Sequence, residues 1–287
     1  MSVDLIIVGS LAYDVVETPL RPAAAQLGGS AVYMSLASLP GANPGVVGVV
    51  GDDFADKDRA LLEGHGVDLD GLATRPGATF RWGGRYDEHF KERDTLFTEL
   101  GVFADFTPVV PMEWRDAPFV FLGNIDPALQ ISVLDQMHRP RWVGCDTMNF
   151  WIEGKREALD LLLPRVDALV INDSEAALLT GERSMAIAGR RVQEMGPSTV
   201  IIKRGEYGAL VFAGDDLFAA PALILADVVD PTGAGDSFAG GMMAAICRTG
   251  DTSPEGLRRA VAAGTVIAGV CCQGYGPDHL ADLTRTD

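Results

Sequence analysis

Asp230-Pro231-Thr232-Gly233-Ala234-Gly235-Asp236-Ser237-Phe238-Ala239-Gly240-Gly241 is the stretch on which the chain turns. A mostly apolar segment, Leu223 to Val229, precedes it, and the small and apolar residues Gly240 to Ile246 read as a helix. A glycine-rich turn feeding a helix start leaves backbone N–H groups unpaired and pointing one way. The helix dipole adds partial positive charge at the same place. Together they form an anion site suited to phosphate. Yet a carboxylate, Asp236, stands inside this anion-attracting turn. One account is a capped, tightly packed helix start with no chemistry. The other is proton transfer, because a carboxylate beside a bound phosphate can accept the proton of an attacking hydroxyl.

Composition bounds the partners. At 287 residues the chain makes one large domain, or a domain with a small appendage. Its 47% hydrophobic content supports a sizeable buried core. A formal net charge of −17 argues against nucleic acid or an anionic membrane as partner. A phosphorylated ligand must then be held by local N–H groups and a metal, not by a global field. Cys145, Cys247, Cys271 and Cys272 form no CxxC pair, so neither a disulfide frame nor a zinc site is expected, and the adjacent two read as buried small hydrophobes. The opening residues lack a basic region, and Leu5 to Val8 is too short for a signal or membrane segment, so a cytoplasmic location is expected.

Leu5 to Val8, ended by Gly9-Ser10, reads as a strand buried on both faces. Asp14 follows in the extended piece Leu11 to Val16, where open α/β sheets bind ligands; a turn-forming Asp is the plainer account. Gly28-Gly29-Ser30 precedes a helical stretch, Ala31 to Leu39, and paired glycines let backbone approach a ligand closely or simply make a turn. Val46 to Val50 is another buried strand, and Gly51-Asp52-Asp53-Phe54 is expected to cap a helix ending at Gly64. Residues 73–103 differ in texture: Thr79 to Tyr86 and Thr95 to Leu100 suit a small sheet with one wet face. Arg81, Arg85, Lys91 and Arg93 cluster there, as a solvated hairpin face or as a lid over the substrate. Strands at Phe119–Gly123, Trp142–Asp146, Ala168–Asn172 and Val200–Lys203 then alternate with helices at Pro127–His138, Ile152–Leu163 and Ser174–Thr180. That alternation predicts an α/β fold, a mostly parallel central sheet with helices on both faces. Asn124, Asp126 and Asp146 sit at strand ends, where turn forming or N-capping is the common role.

Asp-Pro-Thr-Gly-Ala-Gly-Asp-Ser-Phe closely resembles the C-terminal signature of the ribokinase-like (PfkB) carbohydrate kinases, and the resemblance extends from Asp14 to about Asp278. It implies a ribokinase-like core of residues 1–72 and 104–287, with residues 73–103 and part of 10–20 as a β lid. It implies that Asp236 is the catalytic base and that Gly233, Ala234 and Gly235 hold the transferring phosphoryl group. Asp14, Gly28, Gly29, Tyr33 and Asp126 become substrate-binding candidates. Tyr33 departs from the family, whose first signature has Asn there; its ring is expected to cover an apolar sugar face or a base, or else to point into the core. Asn172 and Glu175 match an Asn-x-x-Glu element tied to Mg²⁺ and phosphate through water, although ordinary helix capping also explains them. Lys203, Gly205 and Gly208 would form the ATP loop, with a simple hairpin as the alternative. Asp230, Thr232, Gly269, Cys272, Gly274 and Asp278 are candidates for a monovalent-cation site.

The activity so implied is transfer of the γ-phosphoryl group of MgATP to a hydroxyl of a small sugar, nucleoside or polyol. Potassium is a candidate activator, and a homodimer through the lid a candidate assembly. A non-catalytic ligand-binding protein on the same fold is the alternative. A serine hydrolase fits less well: Gly235-Asp236-Ser237-Phe238-Ala239 lacks the last glycine of a GxSxG elbow, and only His279 follows as a base.

Overall fold

The computed structural model describes residues 2–90 and 93–283. The first part of the chain forms β1 (Leu5–Val8), β2 (Ala12–Thr18), β3 (Arg21–Gly28), α1 (Ser30–Ser38), β4 (Pro44–Gly51), α2 (Asp56–Gly64), β5 (Leu72–Arg75), β6 (Phe80–Tyr86) and β7 (Arg93–Glu99). The middle holds β8 (Phe119–Leu122), α3 (Pro127–Leu134), β9 (Trp142–Asp146), α4 (Asn149–Gly154), α5 (Arg156–Leu162), β10 (Ala168–Asn172), α6 (Asp173–Thr180) and α7 (Met185–Glu194). Then come β11 (Thr199–Lys203), β12 (Ala209–Ala213), β13 (Asp216–Ala220), α8 (Ala234–Thr249), α9 (Pro254–Cys271) and α10 (Asp278–Ala281).

Nine strands form one sheet in the order β13-β12-β11-β10-β9-β8-β1-β4-β5. Pairing is parallel from β11 through to β5, and antiparallel only at β11–β12 and β12–β13. The apolar run of β1 alternates between two cores. Leu5 and Ile7 join a cluster with α1, α8 and α9, while Ile6 and Val8 join one with α3, α5, α6 and α7. Helices therefore cover both faces, as continuous apolar strands require. The parallel strands all end on one side, where Asp146, Asn172 and Lys203 terminate β9, β10 and β11.

A separate four-stranded sheet, in the order β3-β2-β6-β7, forms the lid. Half of it comes from residues 12–28, not from the 73–103 segment. Within that segment, β5 pairs with β4 at the edge of the large sheet. β3 reads Arg-Pro-Ala-Ala-Ala-Gln-Leu-Gly, short of the branched and aromatic residues that mark strands. Its register comes instead from the turn at Thr18, whose Oγ1 accepts the Leu20 N–H. Lys91 lies outside the described residues. Arg81 and Arg85 make exposed pairs with Asp53 and Glu17.

Other expectations need correction. The N-cap of α2 is Ala55, without a side-chain bond. Asp53 instead accepts from Thr79 N at 2.7 Å and Thr79 Oγ1 at 2.6 Å, which ties the lid's entry strand to the core. Ile152–Leu163 is broken at Lys155, where the backbone leaves the helical region between α4 and α5. The helix that follows the glycine turn, α8, begins at Ala234, inside the turn and earlier than Gly240.

α8 is the central element of one layer and packs on α1 and α9 through glycines. A methyl at Gly240 would lie 2.5 Å from Met34 O and 2.7 Å from Ala37 Cβ. Alanine normally favours a helix interior over glycine by about 1 kcal/mol. Here overpacking should reverse the sign, and Gly240→Ala should lose about 1–3 kcal/mol in urea melts. A stabilised Gly240→Ala variant would show that α1 and α8 are not in the close contact described.

Candidate active site

Gly233 caps α8 in the left-handed region, at φ 77°, and its Cα faces the ring of Tyr33 so closely that no side chain fits. The Ala234 N–H turns back to Pro231 O at 3.1 Å, and the Ser237 N–H bonds Gly233 O at 2.8 Å. The N–H groups of Gly235 and Asp236, between them, meet no backbone acceptor among the described residues. The anion turn read from sequence is therefore formed.

Its approach is braced from three sides. Asp230 is 1% exposed; one carboxylate oxygen accepts from Thr232 N at 2.9 Å and the other from Gln26 Nε2 at 3.1 Å. Thr232 Oγ1 donates to the Tyr86 hydroxyl at 3.2 Å. Cys271 Sγ donates to Thr232 O, and Cys272 O accepts from Val229 N at 2.8 Å. Two lid strands and the end of α9 thus hold one turn in place.

Asp236, in the first turn of α8, is pushed up to about 7 by burial and by the neighbouring Asp146, against the opposing charge of Lys203. Lys203 Nζ stands 3.9 Å from Asp146 Oδ2. A methyl at Gly235 would lie 3.1 Å from the same Nζ. Burial works against the ammonium, but Asp146, Glu175 and Asp236 hold the pKa of Lys203 above its ordinary value. Asn172 and Glu175 form a reciprocal capping box: Asn172 Oδ1 accepts from Glu175 N at 2.8 Å, and Glu175 Oε2 from Asn172 N at 2.7 Å. Burial and Asp146 raise Glu175 to about 7 as well. Asp14 is 6% exposed, and burial first, then Asp230, push it up to about 7 against a bond from the Gly29 backbone. Gly28 presses on the Asp14 carboxylate with no room for a Cβ, and Gly29 takes φ 95°. The paired glycines therefore serve close approach to Asp14.

Asp14, Gly28, Gly29, Tyr33, Gly233, Asp230 and Asp236 thus gather around one end of α8. Tyr33 is 1% exposed, which corrects the expectation of a ring face open to substrate: the ring is the floor under Gly233. Its hydroxyl is buried without a partner among the described residues. Asp126 caps α3 by accepting from Ala128 N and pairs with Lys155 at 3.3 Å. Gly205 and Gly208 close the β11–β12 hairpin, where Arg204 N bonds Gly208 O at 2.7 Å. Lys203, grouped with them by sequence, reaches instead to Gly235 and Asp146. Gly269 lies in the last turn of α9 against Leu223, Gly274 against the His279 ring, and Asp278 is exposed at the start of α10. Ser237 is 0% exposed, and His279 bonds Gln273 O, so these two residues do not form a hydrolase dyad. Sequence reasoning left out Gln26, Tyr86 and Asp146 as site residues; only Asp146 gave a signal, as a strand-end carboxylate. Arg93 was grouped with the lid, and its charge bears on Asp14, Glu175 and Asp236.

An open α/β sheet, a lid and a helix-start anion site with a carboxylate define a phosphoryl-transfer enzyme of the small-molecule kinase class. Residues 140–282 match the pfkB family carbohydrate kinase model. The chain is 30% identical to a cytidine kinase of Thermococcus kodakarensis over 85% of this chain and 89% of that protein. It is 29% identical to a 2-dehydro-3-deoxygluconokinase of Thermoproteus tenax over 85% and 79% of the two chains. The fold superposes on an adenosine kinase from Sinorhizobium meliloti with TM-score 0.82, at 19% identity and 96% coverage of both chains. The chain belongs to the PfkB family of carbohydrate kinases. It transfers a phosphoryl group from ATP to a hydroxyl of a small molecule. Among the described residues no helix is long and apolar enough to cross a membrane.

The raised carboxylates carry a stability signature. An Asp whose folded pKa is near 7 binds its proton more tightly than the unfolded chain, where it ionises near 3.9. The folded state then holds more protons between those values, and stability falls as pH rises through the window. The ligand-free enzyme should melt at a higher temperature near pH 5 than near pH 8 (about 3 pH units apart), and Asp236→Asn should shrink the difference. A melting temperature that rises over this range, equally in both proteins, would contradict the burial described for Asp14 and Asp236.

Proposed function

We propose that this kinase phosphorylates a nucleoside, with Asp14 holding its sugar hydroxyls and Asp236 acting as general base. The observation that carries the reading is Asp236 itself: a carboxylate raised to about 7 in the first turn of a helix with free N–H groups. A base poised near the working pH is efficient in proton transfer. The acceptor hydroxyl, held at Asp14, gives its proton to Asp236 as its oxygen attacks the γ-phosphorus, and the N–H groups at Gly235 and Asp236 take the phosphoryl oxygens. Asp230 acts on Asp14 more strongly than the opposing Arg93, and Asp236 lies within reach of Asp14, an acidic surround that suits a neutral nucleoside better than an acceptor carrying its own carboxylate. The 30% identity to a cytidine kinase supports the same class.

Mg²⁺ fits the donor chemistry at Asn172 and Glu175. The ion prefers oxygen ligands and keeps several waters, and Asp146, Glu175 and Asp236 exceed the cationic charge of Lys203. When bound it neutralises phosphate charge. Potassium fits at Asp230 and Thr232, because a carboxylate 1% exposed has only neutral partners, Gln26 and the Thr232 amide, among the described residues. Its role would be to stiffen the anion turn. We place the enzyme in the cytoplasm, where MgATP is abundant and the four free cysteines stay reduced.

ADP release from MgATP should be fastest with a nucleoside in a panel of nucleosides, ribose, gluconate-type acids and polyols. Asp236→Asn should lower turnover by about 10²–10⁴ while leaving ADP binding intact. Ribose or an acid sugar as best acceptor would overturn the substrate class. Near-normal turnover by Asp236→Asn would overturn the base.

A further inference from the structure

We propose that Tyr13 is a positioning residue: its hydroxyl clamps the lid strand that carries Asp14 to the start of α2, and so sets how far an acceptor held at Asp14 stands from Asp236. This rests on the reading of Asp14 as the acceptor's holder given above, and not on the class of acceptor.

β2 lies between β3 and β6 in the lid sheet, and successive residues of a strand point to opposite faces. Gln26, Asp14 and Trp82 stand in one row across the three strands. This row meets the site, because Gln26 bonds Asp230 and Asp230 acts on Asp14. Leu27, Tyr13 and Arg81 form the adjacent row on the opposite face. There Tyr13 and Arg81 both reach residues 53–58, which lead from β4 into α2. One strand thus turns Asp14 to the chemistry and, one residue earlier, Tyr13 to the core.

The contact at Tyr13 is the firmer of the two. Its hydroxyl donates to Asp58 Oδ2 at 2.8 Å and accepts from Ala55 N at 2.9 Å, and its ring lies 6.0 Å from that of Phe54. Asp58 is 8% exposed, whereas the side chains of Arg81 and Asp53 are 47% and 30% exposed, and exposed pairs contribute little. Burial raises the Tyr13 hydroxyl to about 12, aided by Asp58 and opposed by the bond from Ala55, so the group stays a donor. Helix capping alone does not account for this arrangement. Ala55 is the N-cap of α2 and makes no side-chain bond; a Ser, Thr or Asp in its place would cap the helix locally. The Ala55 N–H instead meets a hydroxyl 42 residues away in sequence, on another sheet.

The separation that matters spans lid and core. Asp14 belongs to β2, Asp236 to α8. The chain enters and leaves the β6–β7 hairpin through Gly77, at φ 128°, and Gly101, at φ 53°, conformations that glycine adopts freely and that by themselves hold a sheet loosely. A misplacement of about 1 Å between reacting groups can cost about 10²-fold in rate. The N–H groups of Gly235 and Asp236 sit on α8 alone. Loosening Tyr13 should therefore be felt by the acceptor and by the rate of transfer, and not by ADP.

Tyr13→Phe, Asp58→Ala, Asp58→Asn and Asp14→Asn separate the possibilities. They are assayed with the acceptor turned over fastest in the panel above, beside calorimetry of ADP and hydrogen exchange of the ligand-free enzyme. Tyr13→Phe keeps the ring against Phe54 and loses both hydrogen bonds. It should raise the acceptor KM about tenfold and lower kcat about tenfold, with ADP affinity unchanged. Asp58→Ala should do the same from the other side. Asp58→Asn keeps an oxygen for the hydroxyl and should stay within about threefold of wild type. Amide exchange over Ala12–Thr18 should be about tenfold faster in Tyr13→Phe. Wild-type acceptor KM and kcat in Tyr13→Phe, with only a lower melting temperature, would show a purely structural contact and overturn the proposal. So would an equal loss of ADP and acceptor affinity, the mark of general loosening. An unchanged acceptor KM in Asp14→Asn would instead remove Asp14 as the acceptor's holder. Exchange over Ala12–Thr18 in Tyr13→Phe, measured without acceptor, would still decide whether Tyr13 holds that strand: a wild-type rate there overturns the clamp.

Discussion

Everything at this site depends on a helix whose first turn leaves two N–H groups, those of Gly235 and Asp236, without a backbone acceptor among the described residues. Gly233 takes a left-handed conformation that a residue with a side chain adopts only under strain, and Tyr33 beneath it forbids a Cβ in any case. The Gly235 and Asp236 N–H groups are left free toward the strand ends. Such a turn is floppy unless braced. The brace is long-range: the lid residue Gln26 bonds Asp230, 204 residues away in sequence. Tyr86 on a second lid strand takes Thr232, and the end of α9 takes the backbone on either side. The lid therefore does more than cover the acceptor, because two of its strands hold the anion turn.

The same geometry concentrates charge. Asp14, Asp146, Glu175 and Asp236 are drawn into a half-enclosed cleft with Lys203, in a chain already strongly acidic. Burial and mutual repulsion raise three of the four to about 7, and Asp146 is raised as well, principally by burial. An arrangement this unfavourable in the free protein is what a bound cation, and the proton that Asp236 receives, would relieve. The capping box at Asn172 and Glu175 does not conflict with this. It fixes both side chains at the mouth of β10, which a sparse, water-mediated metal contact requires.

Much of this was legible in the chain. The buried runs Leu5 to Val8 and Ala168 to Asn172 announce a parallel sheet because they lack alternation, and Asp236 inside a Gly-Ala-Gly turn announces a site. What was hidden has physical reasons. β3 is built of alanines and a proline, and forms because β2 lies beside it. The Asp146–Lys203 pair depends on strand order, which brings β9 and β11 to either side of β10. Tyr33 read as a substrate residue by position, yet helix packing turned it under Gly233. Lys203 read as part of a loop, but a strand-end side chain can leave its loop, and this one does.

The central claim is that Asp236 takes the acceptor's proton from a carboxylate raised to about 7. The most direct measurement is the rate of phosphoryl transfer in a single turnover, with enzyme in excess over ATP, as a function of pH. The account predicts a rate that climbs about tenfold per pH unit below about 7 and levels above it, with the climb absent in Asp236→Asn. A wild-type rate flat from about pH 5 to about pH 9 would contradict it.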